Sequence, residues 1–233
     1  MEFIANTQYM KVVEFMNTFS QEVNSTSKSP STKVGLLRYS LIEEERDELS
    51  EALANDDVVE VADALADLLY VIYGAQATLG LPPTPGAYSH IVSFYKEAKN
   101  TRVPTIDRAF GISNKLRDYL EEFMCGMVEG VEYTPKASYS LNKMIFSIYE
   151  FANYMNLDII SIFDEVHSSN MSKVCKTLEE AEKTIQVKGE TDAAYATATI
   201  HENNGLFLVK RAADGKVLKG INYFEPNIAK FIK

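Results

Sequence analysis

Apolar residues recur every three or four positions through most of this chain, which is the spacing of amphipathic α-helices. Only the segment near the end of the chain has strand character. Two helices are predicted within residues 41–80. They are separated by Asn55-Asp56-Asp57 and followed by a Gly- and Pro-rich segment at 80–86. The second helix is apolar on nearly all sides, as is typical of a helix buried in a core. Residues 41–80 are therefore expected to form the centre of the fold.

Acidic residues interrupt the apolar faces of both central helices. In the first helix, Glu45 and Glu48 are three positions apart and share a side with Leu49 and Ala52. In the second helix, three acids recur at helical spacing along an otherwise apolar segment: Glu60, Asp63 and Asp67. Both helices are thus expected to present carboxylates on faces that are buried.

The chemistry of these acids predicts a metal site. A buried carboxylate normally loses its charge, pairs with a cation or binds a metal, and residues 41–80 contain a single basic residue, Arg46. Oxygen ligands without His or Cys select a hard ion, so Mg²⁺ is the predicted cofactor and Mn²⁺ its substitute. The predicted ligands are Glu45, Glu48, Glu60, Asp63 and Asp67. The alternative is a solvated helix face, which suits Glu43, Asp47 and Glu51.

The same acids form a recognisable motif. Glu44-Glu45-x-x-Glu48 followed by Glu60-x-x-Asp63 resembles the signature of the all-α nucleoside triphosphate pyrophosphohydrolases, the MazG-like superfamily. Residues 62–71 and 165–173 are similar to its phosphoribosyl-ATP pyrophosphohydrolase-like branch, and the extra half at 86–157 together with the basic tail is closer to phage-type relatives. The resemblance implies an all-α, MazG-like helical bundle.

The resemblance also implies a reaction and the residues that perform it. A (d)NTP would be hydrolysed between its α- and β-phosphates, giving (d)NMP and pyrophosphate. Glu44 or Glu48 would take the proton of the attacking water or orient that water. Asn170 and Lys173 are one helical turn apart and match the Asn and Lys that contact the nucleotide in the family. The expected substrate is therefore a small-molecule nucleotide.

Other interpretations of the acidic helices differ in chemistry. A carboxylate-bridged di-iron bundle needs Glu-x-x-His pairs, and neither acidic helix contains a His. Within the enzyme class, the substrate could instead be phosphoribosyl-ATP. Outside it, the helices could form a non-catalytic nucleotide-binding regulator that binds without turnover. Pyrophosphate release in the presence of Mg²⁺ separates an enzyme from a regulator.

The order of helices before residue 86 is repeated after it, which leaves two interpretations open. Residues 86–157 are either the degenerate second half of an internal pseudo-dimer or a helical insertion. In a repeat, the counterparts of the six acids would be Lys115, Leu116, Tyr119, Lys136, Tyr139 and Lys143. The second half would then have lost the metal site, and the protein would have one active pocket.

The predicted domain organisation is a helical bundle at 1–186 and a small β-hairpin tail at 187–233. Within the bundle, residues 1–85 form the acidic catalytic half and 158–186 the nucleotide-contacting helix. The tail would pair strands at 206–209 and 216–219 around an Ala213-Asp214-Gly215 turn, with further strand character at 195–200. Four basic residues in this tail could form a solvated strand edge or reach the triphosphate: Lys210, Arg211, Lys216 and Lys219.

Charge and composition narrow the classes of partner. The formal net charge of −10 argues against binding a nucleic-acid polymer, which requires basic patches. The N-terminal residues show no signal-peptide pattern, and no apolar run is long enough for a membrane span. We therefore expect a cytoplasmic protein, in the host cytoplasm if the source is viral. We also expect it to form a homo-oligomer, a dimer.

Overall fold

The computed structural model describes residues 4–83, 106–128, 133–213 and 215–232. Its helices are α1 Ile4–Thr18, α2 Thr32–Ala54, α3 Val58–Leu79, α4 Ile106–Val128, α5 Tyr133–Tyr154, α6 Ile159–Met171, α7 Leu178–Gly189 and α8 Ala193–Ala196. Two strands follow, β1 Thr199–Asn203 and β2 Leu206–Lys210, and then a 3-10 helix at Ile228–Phe231. The predicted class, a mostly helical fold with a small C-terminal β-hairpin, is confirmed. Residues 86–105 of the predicted second half lie outside the described residues.

The break between the two acidic helices is formed by capping residues. Asn55 caps the end of α2, and the Asp57 side chain accepts hydrogen bonds from the backbone N–H groups of Val59 and Glu60 at the start of α3. At the other end, α3 stops at Gly80, whose φ is +62°. A Cβ at this position would lie 2.0 Å from the backbone oxygen of Thr26, so only glycine fits. Both predicted helix ends are confirmed.

Helix α3 is the most deeply buried of the helices that the structure describes. Leu65, Leu69 and Tyr73 are fully buried. The Tyr73 ring packs edge-on against Phe163 with 6.2 Å between ring centroids, and Tyr70 stacks on the same ring at 5.5 Å. This aromatic packing fixes the position of α3, and therefore of the acids that it carries.

The described part of the chain forms two compact units. The described residues within 1–13, 23–164 and 228–233 form the first. In this unit the α2–α3 hairpin packs against the α4–α5 hairpin, α2 on α4 and α3 on α5. Polar contacts join the hairpins: Ser50 Oγ lies 3.3 Å from Ser113 Oγ, and Gln76 Nε2 donates to Asn142 Oδ1 at 3.3 Å.

The two hairpins of the first unit also match in size. Helices α2 and α4 each have 23 residues, and α3 and α5 each have 22. Leu116, the counterpart of Glu45 in the predicted repeat, is buried as an apolar residue at that position should be. Equal lengths and reciprocal packing are what an internal pseudo-dimer would show. The choice between repeat and insertion stays a prediction.

The second unit consists of residues within Glu14–Glu22 and Glu165–Asn227. Its small core is formed by Cys175, Ala181, Tyr195, Val209 and Leu218. The predicted domain boundary at 187 remains a prediction.

None of the described helices combines the length and the apolar character that crossing a membrane would require.

The hairpin differs from its predicted form. Strand β1 pairs antiparallel with β2, and the turn between them is Asn204-Gly205, with φ values of +51° and +77°. The turn predicted at Ala213-Asp214-Gly215 does not join these strands, and Asp214 itself lies outside the described residues. Among the described residues, the pairing continues past this turn as an isolated bridge between Lys210 and Val217, with backbone hydrogen bonds from Arg211 to Lys216 and from Leu218 to Val209. The physical reason is that Asn-Gly tolerates two successive positive φ values, which suits a tight two-residue hairpin.

Candidate active site

Glu45 lies within the buried stripe of α2. Ile42 and Leu49, on either side of it along the stripe, are 1% and 0% exposed, whereas Glu45 is partly buried. The stripe follows the helical repeat of three or four residues, as the sequence predicts. A carboxyl group therefore stands where an aliphatic side chain would normally complete the packing.

The electrostatic environment of Glu45 is unusual. Burial raises the pKa of its carboxyl group from 4.5 to about 9, and four neighbouring acids add to the rise: Asp67, Glu48, Glu44 and Asp63. Its Oε2 atom is buried and accepts no hydrogen bond from the described part of the chain. Without a cation, Glu45 therefore keeps its proton at neutral pH.

The acids of α3 complete this group from the opposite helix. Asp63 and Asp67 are one turn apart, both are partly buried, and the three residues between them are fully buried or nearly so. Asp63 Oδ1 is buried as well. Carboxylates from two helices thus lie close enough to repel one another, which is the arrangement expected where a cation is bound.

The two predicted catalytic residues, one of which was also a predicted ligand, are exposed. Glu48 was expected to face inward, yet it is exposed, because it lies about 100° around the helix from its buried neighbour Leu49. Glu44 is exposed too. Both nevertheless lie near enough to raise the pKa of Glu45. They form the rim of the acidic group rather than its buried part.

Glu60 is the second correction. It was expected on the buried line with Asp63 and Asp67, but it is exposed, and it is not among the groups that raise the pKa of Glu45. The reason is its place in the first turn of α3, just after the Asp57 cap. An acid there is favoured by the positive end of the helix dipole without being buried.

The structure does not show a closed set of metal ligands. Among the described residues, no three His, Cys, Asp or Glu side chains converge as a metal-binding group. The predicted ligand set therefore stays a prediction. The donor chemistry still fits a hard divalent cation, because Glu45 and the acids around it offer only oxygen atoms, and Glu45 Oε2 is buried without a hydrogen bond from the described residues.

Sequence analysis missed one residue of this region. Arg38 is 8% exposed and lies two turns before Glu45 on the same stripe. Its position four residues before Ile42 was the signal for its burial. A guanidinium group stays charged at any physiological pH, so α2 carries a fixed positive charge along the face that also carries Glu45.

The predicted nucleotide contacts belong to the second unit. Asn170 is near the end of α6, and Lys173 follows in the next turn. Lys173 Nζ donates a hydrogen bond to Asn170 Oδ1 at 2.6 Å, so the two side chains lie together as their spacing predicts. Their role in binding a nucleotide stays a prediction.

Comparisons with known proteins agree with the motif. Residues 12–87, which include α2 and α3, match the phosphoribosyl-ATP pyrophosphohydrolase family. An uncharacterized protein of Acanthamoeba polyphaga mimivirus is 27% identical over 246 aligned positions, which cover 97% of this chain and 96% of that protein. The similarity to this viral protein agrees with the predicted resemblance to phage-type relatives. No solved structure matches the chain.

The acidic helices α2 and α3 fall entirely within the matched segment. The predicted resemblance is therefore confirmed, and the activity that it indicates is of the nucleotide pyrophosphohydrolase type. Residues 12–87 of this chain are thus similar to the phosphoribosyl-ATP pyrophosphohydrolase family.

Proposed function

We propose that this protein is a Mg²⁺-dependent nucleoside triphosphate pyrophosphohydrolase. It would hydrolyse a (d)NTP between the α- and β-phosphates to give (d)NMP and pyrophosphate. The observation that carries the proposal is Glu45, a partly buried carboxyl group among four other acids, with its pKa raised to about 9. Such a group lowers the stability of the metal-free protein. Binding a divalent cation together with a phosphate substrate would explain why the protein has it.

Five carboxylates are proposed to hold the cation: Glu45, Glu48, Glu60, Asp63 and Asp67. When bound, Mg²⁺ supplies positive charge to phosphate oxygens and lowers the pKa of water. Asp67 lies one turn beyond Asp63, so the pair extends the group along α3. Mn²⁺ prefers the same oxygen ligands and is expected to replace Mg²⁺.

The exposed acids of α2 are proposed to handle the proton. Glu48 or Glu44 accepts it from water as the water oxygen bonds to the α-phosphorus. The bond from that phosphorus to the bridging oxygen breaks, and pyrophosphate leaves. Both residues are exposed, so the proton can pass on to solvent before the next turnover.

Asn170 and Lys173 are proposed to hold the nucleotide. A lysine ammonium binds phosphate as a point charge, and an Asn amide both donates and accepts hydrogen bonds, as a base or sugar requires. Their mutual hydrogen bond orders the two side chains before a ligand arrives. The order reduces the conformational entropy that binding would otherwise cost.

A second candidate substrate is phosphoribosyl-ATP, which the description of the matching family favours. It contains the same α–β phosphate linkage, so the roles proposed for the acids would not change. A non-catalytic nucleotide-binding regulator is the third possibility. It would bind nucleotide without releasing pyrophosphate.

One assay separates these candidates. The eight common nucleotides, dUTP and phosphoribosyl-ATP are incubated with the protein and Mg²⁺ or Mn²⁺, and pyrophosphate is measured. ³¹P NMR then distinguishes monophosphate plus pyrophosphate from diphosphate plus phosphate. We expect pyrophosphate from at least one (d)NTP, and turnover only of phosphoribosyl-ATP would select the second candidate.

Variants assign the activity to the acidic group. Asp63→Asn should abolish pyrophosphate release and leave the circular dichroism spectrum unchanged. Glu51→Gln is the matched control, because Glu51 is exposed on α2 and is not among the acids that raise the pKa of Glu45. Full Mg²⁺-dependent activity of Asp63→Asn would refute the assignment.

Two further expectations concern the state of the protein in the cell. We propose that it forms a homodimer and acts in the cytoplasm on small-molecule nucleotides. Light scattering coupled to gel filtration tests the dimer. A mass of 26.1 kDa would mean a monomer.

A further inference from the structure

The segment that follows the hairpin returns to the residues proposed to bind nucleotide. The backbone N–H of Gly220 donates to the backbone oxygen of Lys173 at 3.1 Å. A Cβ at Gly220 would lie 2.8 Å from the same oxygen and 3.1 Å from Cys175 Sγ, so glycine permits this close approach. Lys219, the preceding residue, is thereby held next to Lys173 in the fold.

The rest of this segment is docked on the end of α6. Ser169 Oγ donates to the backbone oxygen of Phe224 at 2.8 Å, and the backbone N–H of Phe224 donates to Ser172 Oγ at 3.2 Å. These bonds fix residues 220–225 against the same helix end that carries Asn170. The loop is thus positioned by buried or partly buried partners.

Within this segment, the Glu225 carboxylate binds the Lys219 and Tyr223 side chains. Its Oε1 accepts from Lys219 Nζ at 2.7 Å and its Oε2 from the Tyr223 hydroxyl at 2.6 Å. Lys219 Nζ also lies 4.4 Å from the centre of the Tyr223 ring. Lys219, then Tyr223, and more weakly Lys173 hold the pKa of the Glu225 carboxyl below its usual value. Both carboxylate oxygens therefore accept hydrogen bonds from groups that could also donate to the oxygens of a bound phosphate.

We propose that Lys173, Lys219 and Tyr223 form a phosphate-binding site in the second unit, and that Glu225 fills this site until a nucleotide phosphate displaces it. The inference rests on the proposed function for the identity of the anion. Lys219 and Tyr223 then bind substrate in addition to Asn170 and Lys173, and Glu225 is a competitor within the chain.

Energetics favour the exchange. The Lys219 and Glu225 side chains remain 46% and 70% exposed, and an ion pair this exposed is worth little. Displacing Glu225 therefore costs little. A polyphosphate carries several charges and acceptor oxygens, so it gains more than one carboxylate does from two ammonium groups and a hydroxyl.

The test uses the full chain and inorganic tripolyphosphate in EDTA, with affinity measured by isothermal titration calorimetry. Without divalent ions the acidic group of the first unit repels the probe, so the second unit is observed separately. Lys219→Met should weaken binding about tenfold. Glu225→Gln should strengthen it about fivefold, since the competing carboxylate is lost. Lys219→Arg should retain most of the affinity.

Lys183→Met is the matched control. Lys183 is an exposed lysine of the same unit, and its substitution changes the net charge by the same amount as Lys219→Met. If Lys183→Met weakens binding as much as Lys219→Met does, or if Glu225→Gln does not strengthen it, the inference is wrong. Circular dichroism checks that each variant is folded.

The outcome is separable from that of the proposed function. Lys219-dependent binding of tripolyphosphate without any pyrophosphate release from nucleotides would leave the phosphate site standing and remove the enzyme. Pyrophosphate release with a KM unchanged by Lys219→Met and Glu225→Gln would keep the enzyme and remove the site.

Discussion

Replacing Glu45 by Gln should stabilise the metal-free protein at neutral pH and leave its stability in acid almost unchanged. The carboxyl group is partly buried between apolar residues of α2, with four other acids nearby. Glutamine has the same shape without the charge, and its amide can donate hydrogen bonds to the remaining carboxylates. The substitution therefore removes the titration and keeps the packing.

The magnitude follows from proton linkage. The carboxyl group of Glu45 has a pKa of 4.5 in an ordinary environment and about 9 in the fold. Between these values the folded state binds a proton that the unfolded chain has lost, so the free energy of unfolding falls as the pH rises. Each pH unit contributes about 1.4 kcal/mol, and the two and a half units from 4.5 to 7 amount to about 3 kcal/mol.

The assay is urea denaturation in EDTA, followed by circular dichroism at pH 4.5, 5.5, 7 and 8. Glu45→Gln should match the wild type at the lowest pH and exceed it increasingly at each higher one. Glu51→Gln is the control, and this exposed substitution should change the free energy of unfolding by less than about 0.5 kcal/mol at every pH.

The result that refutes this reasoning is a difference between wild type and Glu45→Gln that does not vary with pH. The Glu45 carboxyl group would then titrate alike in the folded and unfolded chain. Such a result would mean that it is hydrated and far from the other acids. The argument that the acids around Glu45 bind a cation would then fail.

Three other predictions can be checked with the same preparations. Titration of Mg²⁺ at pH 7 should release about one proton per site from the wild type and none from Glu45→Gln, as measured by calorimetry in two buffers of different ionisation enthalpy. Gly80→Ala should lower the free energy of unfolding by more than about 2 kcal/mol, because its Cβ would meet the Thr26 backbone oxygen at 2.0 Å. Gly205→Ala, with a φ of +77° and open space around it, should cost only about 1 kcal/mol and serves as the control. Leu65→Ala should cost about 2–5 kcal/mol in urea denaturation, since its side chain is fully buried.

The helices of the first unit were predictable because their signals are local. The break at Asn55-Asp56-Asp57 consists of residues that favour caps and turns, and Gly80 ends α3 in the left-handed conformation that the next turn requires. The burial of individual acids was less predictable. A stripe that includes Glu45 and Leu49 leaves Glu48 at its edge, and only the packed partner helix shows how wide the buried face is.

The hairpin was misjudged because two turn signals flank the same strand. Strand β2 pairs with β1 through the Asn204-Gly205 turn, and Val209 also accepts from the backbone N–H of Leu218 on the other side. The later signal is real as well, since the N–H of Arg211 donates to the backbone oxygen of Lys216 at 2.8 Å. Sequence alone does not show which turn joins two complete strands, because pairing depends on the core that each arrangement buries.

The graded burial of the acids fits the division of labour that the proposed reaction needs. A group that holds a cation is best kept from water, where charges act at low dielectric, and Glu45, Asp63 and Asp67 are the partly buried members. A group that takes a proton in every turnover must return it to solvent, and Glu44 and Glu48 are both exposed. If these roles were exchanged, a buried base would keep its proton, and exposed ligands would have to compete with bulk water for the cation. The proposal therefore requires Glu48→Gln to lower kcat more than it weakens Mg²⁺ binding, and Asp63→Asn to weaken Mg²⁺ binding more than Glu48→Gln does.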